Sequence, residues 1–205
     1  MREGHYSTDY VPLNIGFLAA YLKKYLDEET EVRLFNLPEK LELDVALKMP
    51  DILAVSNYAW NLHLSYLYIS HYKSINPELI CIMGGPNYPG RKDEQEKFLR
   101  KYSNIDFYVL MEGENAFLAL VRKLIQCKLN INRSKEEATK GCQYLFNDKF
   151  VDGGQGERIN DLTTIPSPYL EGFMGEFLDD GFGPMLQTNR GCPFGCKFCH
   201  SGGKY

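Results

Sequence analysis

Residues 51–85 read DILAVSNYAWNLHLSYLYISHYKSINPELICIMGG. Two short apolar runs, Ile52–Val55 and Ile80–Met83, each give way to turn residues, Ser56 and Asn57 after the first and Gly84 and Gly85 after the second. Between them, Leu62 to Ile75 carries apolar side chains at helical spacing and stops at Asn76 and Pro77. Runs that are apolar at successive positions suit strands buried on both faces. Strand, helix and strand in that order predict a parallel pairing with a crossover helix.

The same unit recurs on either side. Val32–Leu37 and Phe107–Met111 are further expected strands, the latter followed by Glu112 and Gly113. Helices are expected around Leu13, Phe17, Leu18, Tyr21 and Leu22, over Asp93–Lys101, and around Phe117, Leu118, Val121, Leu124 and Ile125. The expected fold is α/β, a doubly wound parallel sheet of Rossmann-like form, in which ligands bind in a crevice at the carboxyl ends of the strands. Past residue 128 the pattern changes. In CQYLFNDKFVDGG, Asn147 and Asp148 sit between two short alternating runs and predict a β-hairpin. In INDLTTIPSPYLEGF, Pro166 and Pro168 predict an extended linker. The expected organisation is an α/β unit over residues 1–127, hairpin and linker over 128–182, and the start of a second unit over 183–205.

The 205 residues carry a net charge of −4, without a Lys/Arg block that would draw a phosphate backbone, so a nucleic-acid partner is not expected. No apolar run reaches the roughly 18 residues of a membrane span, and the start MREGHYSTDY has no apolar export region. The expectation is a cytoplasmic protein without a membrane partner.

Six cysteines divide into two groups. Cys81, Cys127 and Cys142 are scattered, and Cys81, inside LICIM, is expected to be a buried small hydrophobe. Cys192, Cys196 and Cys199 form a C-x-x-x-C-x-x-C loop punctuated by Gly191, Pro193 and Gly195. Clustering of this kind without an export signal points to metal rather than disulfides. Three thiolates on a cubane iron-sulfur cluster leave one iron open for an exchangeable ligand. The competing arrangement is a closed zinc site completed by His200, against which stands the lack of a distant second ligand pair.

CPFGCKFC, with Phe198 before the last cysteine, resembles the cluster loop of the radical S-adenosylmethionine enzymes. The resemblance implies a 4Fe-4S cluster on Cys192, Cys196 and Cys199. It also implies S-adenosylmethionine chelated to the open iron, Phe198 against its adenine, and an electron donor such as flavodoxin or ferredoxin. PLNIGFLAAYLKKY, DILAVSNYAWNLHLSYLYI, ICIMGGPNY and DFYVLMEGENAFLALV, in that order, resemble the cobalamin-binding domain that precedes the radical barrel in one branch of the superfamily. That resemblance implies cobalamin held by the strand-end turns, with Ser56, Asn57, Tyr58, Gly84, Gly85, Pro86, Glu112 and Gly113 as the contacts. It also implies a small-molecule substrate and methyl transfer or ring formation as the reaction.

Two features depart from the family. The D-x-H-x-x-G cobalt-ligating pattern is absent, and His5, His63 and His71 are given no ligand role. The family also begins with a strand ahead of REGHYSTDY and continues into a barrel past Tyr205, so the sequence reads as a fragment of a longer protein. Tyr58 and Trp60 have a plainer reading as core residues. The alternative for the whole chain is a non-catalytic α/β binding module with structural zinc.

Overall fold

The computed structural model describes residues 10–191 and Phe194. Helix α1 (Leu13–Leu26) and helix α2 (Pro38–Leu47) precede strand β1 (Ile52–Ser56), followed by α3 (Leu62–Ile75), β2 (Ile80–Gly84), α4 (Lys92–Lys101), β3 (Phe107–Val109) and α5 (Glu114–Gln126). A short helix α6 (Ile131–Lys135), the hairpin β4 (Cys142–Phe146) and β5 (Lys149–Asp152), and a last short helix α7 (Gly175–Asp179) complete the described elements. The five strands form one sheet in the order β1-β2-β3-β4-β5, with β1, β2 and β3 parallel and the hairpin added antiparallel.

Successive side chains of a strand point to opposite faces, and β2 shows the consequence. Ile80 and Ile82 join the layer under α1 and α5, with Leu22, Leu26, Leu120 and Leu124. Cys81 and Met83 join the opposite layer with Val45, Ile69, Tyr72 and Leu99 from α2, α3 and α4. Helices therefore cover both faces, as the continuous apolar runs required, and Cys81 is buried as expected. Each fully buried Leu or Ile contributes about 1.5–3 kcal/mol.

The hairpin forms where Asn147 and Asp148 predicted it, both at positive φ (48° and 61°), the geometry of a type I′ turn. Instead of only bridging two units, it pairs with β3, Tyr108 opposite Gln143 and Val109 opposite Cys142. Two other expectations change. Val32–Leu37 is not a strand. Val32 and Leu34 are half-buried and Glu31 and Arg33 exposed, so the alternation survives. A strand also needs a ladder partner for its backbone groups, and among the described residues β1 is an edge strand that pairs only with β2. Phe107–Met111 stops at Val109, because Met111 turns to a positive φ of 59°. Helix α2, unforeseen in the sequence, starts with Pro38 in its first turn, where a missing N–H costs nothing.

The linker folds back on the segment that leads into α1. Val11 N–H donates to the Gly183 carbonyl at 3.0 Å, and Met174, Phe177 and Phe182 bury against Val11. Gly16 permits this approach, since a Cβ there would lie 2.6 Å from the Met174 side chain and 3.0 Å from Pro168. At the opposite end of the sheet, the Asp106 carboxylate accepts from Cys81 N–H at 2.8 Å, pairs with Lys73 and lies 3.7 Å from Lys135. No described helix is long and apolar enough to cross a membrane.

Candidate functional site

Parallel pairing lines up the carboxyl ends of the first three strands. Ser56 is in register with Gly84, and Gly84 with Val109. The strand ends and the turns that follow therefore share one sheet edge, and they contain Ser56, Asn57, Tyr58, Gly84, Gly85, Pro86, Glu112 and Gly113. The eight residues expected of the α/β part of the site all lie at the carboxyl ends of these strands or just past them.

Asn57 organises this edge. It is fully buried, and its N–H donates to the Gly84 carbonyl at 2.6 Å while its carbonyl accepts from Asn87 N–H at 3.1 Å. Its amide nitrogen donates to the Asn87 carbonyl at 2.6 Å and to the Tyr108 phenol at 2.9 Å, and its amide oxygen accepts from Asn87 at 3.1 Å. Tyr108 passes the chain on, donating to the Gly85 carbonyl at 2.8 Å. A buried polar network whose donors are all used fixes one arrangement of the turns. Asn57 thus acts on the turn backbone, with its own N–H groups engaged inside the protein.

Gly85 is needed at this point. Its φ is +135°, and a Cβ would sit 2.5 Å from the Asn57 carbonyl oxygen and 2.9 Å from its nitrogen. Gly84 packs on β3, where a Cβ would meet the Val109 carbonyl at 3.2 Å. Beneath, Tyr88 stacks on Tyr108 with centroids 3.7 Å apart and donates to Gln143 at 2.9 Å. Burial pushes both phenol pKa values upward, so both stay neutral donors.

Tyr58 and Trp60 do not enter the core. Trp60 is 81% exposed, and its ring stacks on Tyr58 at 4.7 Å and 10°. The Tyr58 hydroxyl accepts from Asn14 of α1, and Tyr58 N–H donates to Asn61 at 2.7 Å. Ser56 Oγ accepts from Asn61 at 3.0 Å. A flat aromatic face thus stands in solvent beside the first strand end, while both histidines of α3, His63 and His71, are also exposed.

The third turn is charged. Gly113, at φ +93°, opens α5 with the buried Glu114. Arg158 donates from Nε to Glu112 Oε1 at 3.1 Å, and Arg190 donates from Nη2 to Glu114 Oε1 at 2.6 Å. Arg190 also lies over the Phe17 ring, 5.2 Å from its centroid. Gly191 touches Arg158, a Cβ there meeting Nη2 at 3.0 Å. Sequence reading missed Tyr108, Asn87, Glu114, Arg158 and Arg190. Tyr108 looked like core, and the one signal for Arg190 was its place just ahead of Gly191 and Cys192.

Cys192, Cys196, Cys199 and Phe198 lie outside the described residues. Among the described residues there is no group of three or more His, Cys, Asp or Glu side chains able to hold a metal ion.

Residues 4–121 match the B12 binding domain family, and the chain belongs to it. It is 29% identical over 205 residues to the cobalamin-dependent radical SAM methyltransferase TokK of Streptomyces tokunonensis, covering 94% of this chain and 29% of that protein. It is 28% identical over 203 residues to the 2-(S-pantetheinyl)-carbapenam-3-carboxylate methyltransferase of Streptantibioticus cattleyicolor, again covering 94% of this chain and 29% of the relative. The chain spans less than a third of these curated relatives. In fold it matches the apo, selenomethionine-labelled cobalamin-dependent S-adenosylmethionine radical enzyme OxsB, with a TM-score of 0.67 at 22% identity over 91% of this chain and 25% of that one. The resemblance to cobalamin-bearing radical S-adenosylmethionine proteins therefore holds along nearly the whole chain.

Proposed function

We propose that this chain is the cobalamin-binding part, with the cluster-binding segment, of a radical S-adenosylmethionine enzyme that transfers a methyl group or closes a ring on a small molecule. The observation that carries the reading is the edge where Ser56, Gly84 and Val109 align and the Asn57–Tyr108–Gly85 network locks the turns. Such a strand-end crevice is where α/β sheets take nucleotide-like ligands. Membership of the B12 binding domain family supports cobalamin as the occupant.

The residues present suit that occupant. Gly84 and Gly85 let the strand-end turns pack closely on Val109 and on the Asn57 backbone, Tyr58 and Trp60 offer an aromatic face, and Ser56, Pro86, Glu112 and Gly113 complete the rim. No histidine stands on these turns, so the protein holds the corrin by shape and hydrogen bonding there. Cys192, Cys196 and Cys199 would hold the 4Fe-4S cluster, with Phe198 against the adenine of S-adenosylmethionine and flavodoxin or ferredoxin as electron donor. When bound, these groups supply radical generation and a methyl carrier; the chain's own part is to bind and orient them.

Anaerobic reconstitution with iron and sulfide tests the cluster half directly. The expected result is a brown protein that binds iron and loses it on Cys196→Ala. Colourless protein with one zinc per chain would overturn it.

A further inference from the structure

The described residues leave three buried side-chain atoms without a hydrogen-bond partner: Glu112 Oε2, Glu114 Oε2 and Arg190 Nη1. All three belong to the charged junction around the third strand-end turn. Glu114 is only 3% exposed, and its pair with Arg190 is largely out of solvent, with side chains 2% and 11% exposed. Orphaned charged atoms are costly, and a buried ion pair is seldom better for stability than apolar packing. Its best-attested use is to fix register between two segments.

The two segments here are distinct in origin. Glu112 and Glu114 flank Gly113 at the end of the turn that follows β3, at the carboxyl edge of the parallel strands. Arg190 closes the stretch that leads, two residues on, to Cys192. The next residue, Gly191, rests against Arg158, which the other carboxylate holds. One ion pair, Arg190 on Glu114, thus ties the approach to the cysteine loop to the third strand-end turn across 76 positions of sequence, and the Arg158–Glu112 pair lies beside Gly191.

We propose that Arg190 is a positioning residue. Through Glu114 it registers the segment entering the cysteine loop on the cobalamin crevice, so that filling the crevice orders that segment. Among the described residues, Glu112 Oε2, Glu114 Oε2 and Arg190 Nη1 keep hydrogen-bonding capacity unused at this junction. The inference rests on the reading of the crevice as a cobalamin site.

Hydrogen exchange on the whole chain, with and without hydroxocobalamin, tests it, with binding followed separately by absorbance. In the wild type, hydroxocobalamin is expected to slow exchange in peptides covering residues 184–191 by roughly tenfold. In Glu114→Gln and Arg190→Gln the ligand still binds, within about threefold of wild type, but that slowing is lost. Arg190→Lys, which keeps the charge without the planar fork, restores part of it and serves as the measurement if the other variants fail to fold. Equal slowing in wild type and folded Gln variants overturns the positioning role, as does binding without any slowing in the wild type. A wild-type chain that does not bind hydroxocobalamin overturns the crevice reading, and this one falls with it.

Discussion

Asn57 and Tyr108 meet between the first and third strands, the buried amide donating to the phenol oxygen at 2.9 Å. Because the phenol donates onward to the Gly85 carbonyl at 2.8 Å, a single hydroxyl joins the ends of β1, β2 and β3. Tyr108→Phe keeps the ring and its stack on Tyr88 while removing that hydroxyl. Two buried groups then lose a partner, and the unfolding free energy is expected to fall by about 1–3 kcal/mol. Urea denaturation followed by circular dichroism checks it; an unchanged midpoint would show that the network does not tie the strand ends.

Gly85 and Gly90 form a matched pair of tests. A Cβ on Gly85 collides with the Asn57 backbone at 2.5 Å and demands a φ of +135°, whereas a Cβ on Gly90 meets nothing within 4 Å. Gly85→Ala is expected to cost at least about 2 kcal/mol and Gly90→Ala to stay within about 0.5 kcal/mol of wild type. Thermal melts of the two variants side by side give the comparison.

Asp106 sits where two lysines converge, paired with Lys73 and 3.7 Å from Lys135. Burial pushes the Lys135 pKa down, with Lys73 pushing the same way and Asp106 opposing both. Asp106→Ala leaves two largely buried ammonium groups without a counter-ion and Cys81 N–H without an acceptor. The expected loss is about 3–5 kcal/mol, read from the urea midpoint. This end of the sheet is opposite the crevice, so a variant that still folds should bind hydroxocobalamin as wild type does.

Burial pushes the thiols of Cys81 and Cys142 and the phenol of Tyr144 up to about 12, from ordinary values of 9.0 for the thiols and 10.0 for the phenol. A group whose pKa is higher in the folded state contributes full stability below its unfolded value. That stability is lost as pH rises through the interval between the two. The melting temperature is therefore expected to hold up to about pH 9 and then to fall steadily toward pH 12. The double variant Cys81→Ala, Cys142→Ala is expected to show a shallower alkaline slope, measured by melts at half-unit steps of pH.

Much of this was legible in the sequence because periodicity reports burial directly. The runs Ile52–Val55 and Ile80–Met83 and the helix Leu62–Ile75 form where their patterns put them. The turn residues that share the crevice follow from parallel strand order alone. What failed was what depends on neighbours. Val32–Leu37 has the composition of a strand but no ladder partner, and Met111 turns where the sequence reads on. Trp60, plausible as core from its bulk, stands in solvent on Tyr58. Glu114 and Arg190 are charged residues in unremarkable local sequence, and only the fold brings them within 2.6 Å.

Cobalamin is the proposed occupant of the edge built by Ser56, Asn57, Gly84, Gly85, Glu112 and Gly113. Titration of the purified chain with hydroxocobalamin, by equilibrium dialysis and absorbance, tests it most directly. Saturation at one equivalent is expected, with binding weakened roughly tenfold or more by Gly85→Val and unchanged in Gly90→Ala. A folded wild-type chain that takes up no hydroxocobalamin, or a folded Gly85→Val variant that binds it as tightly as wild type, would contradict it.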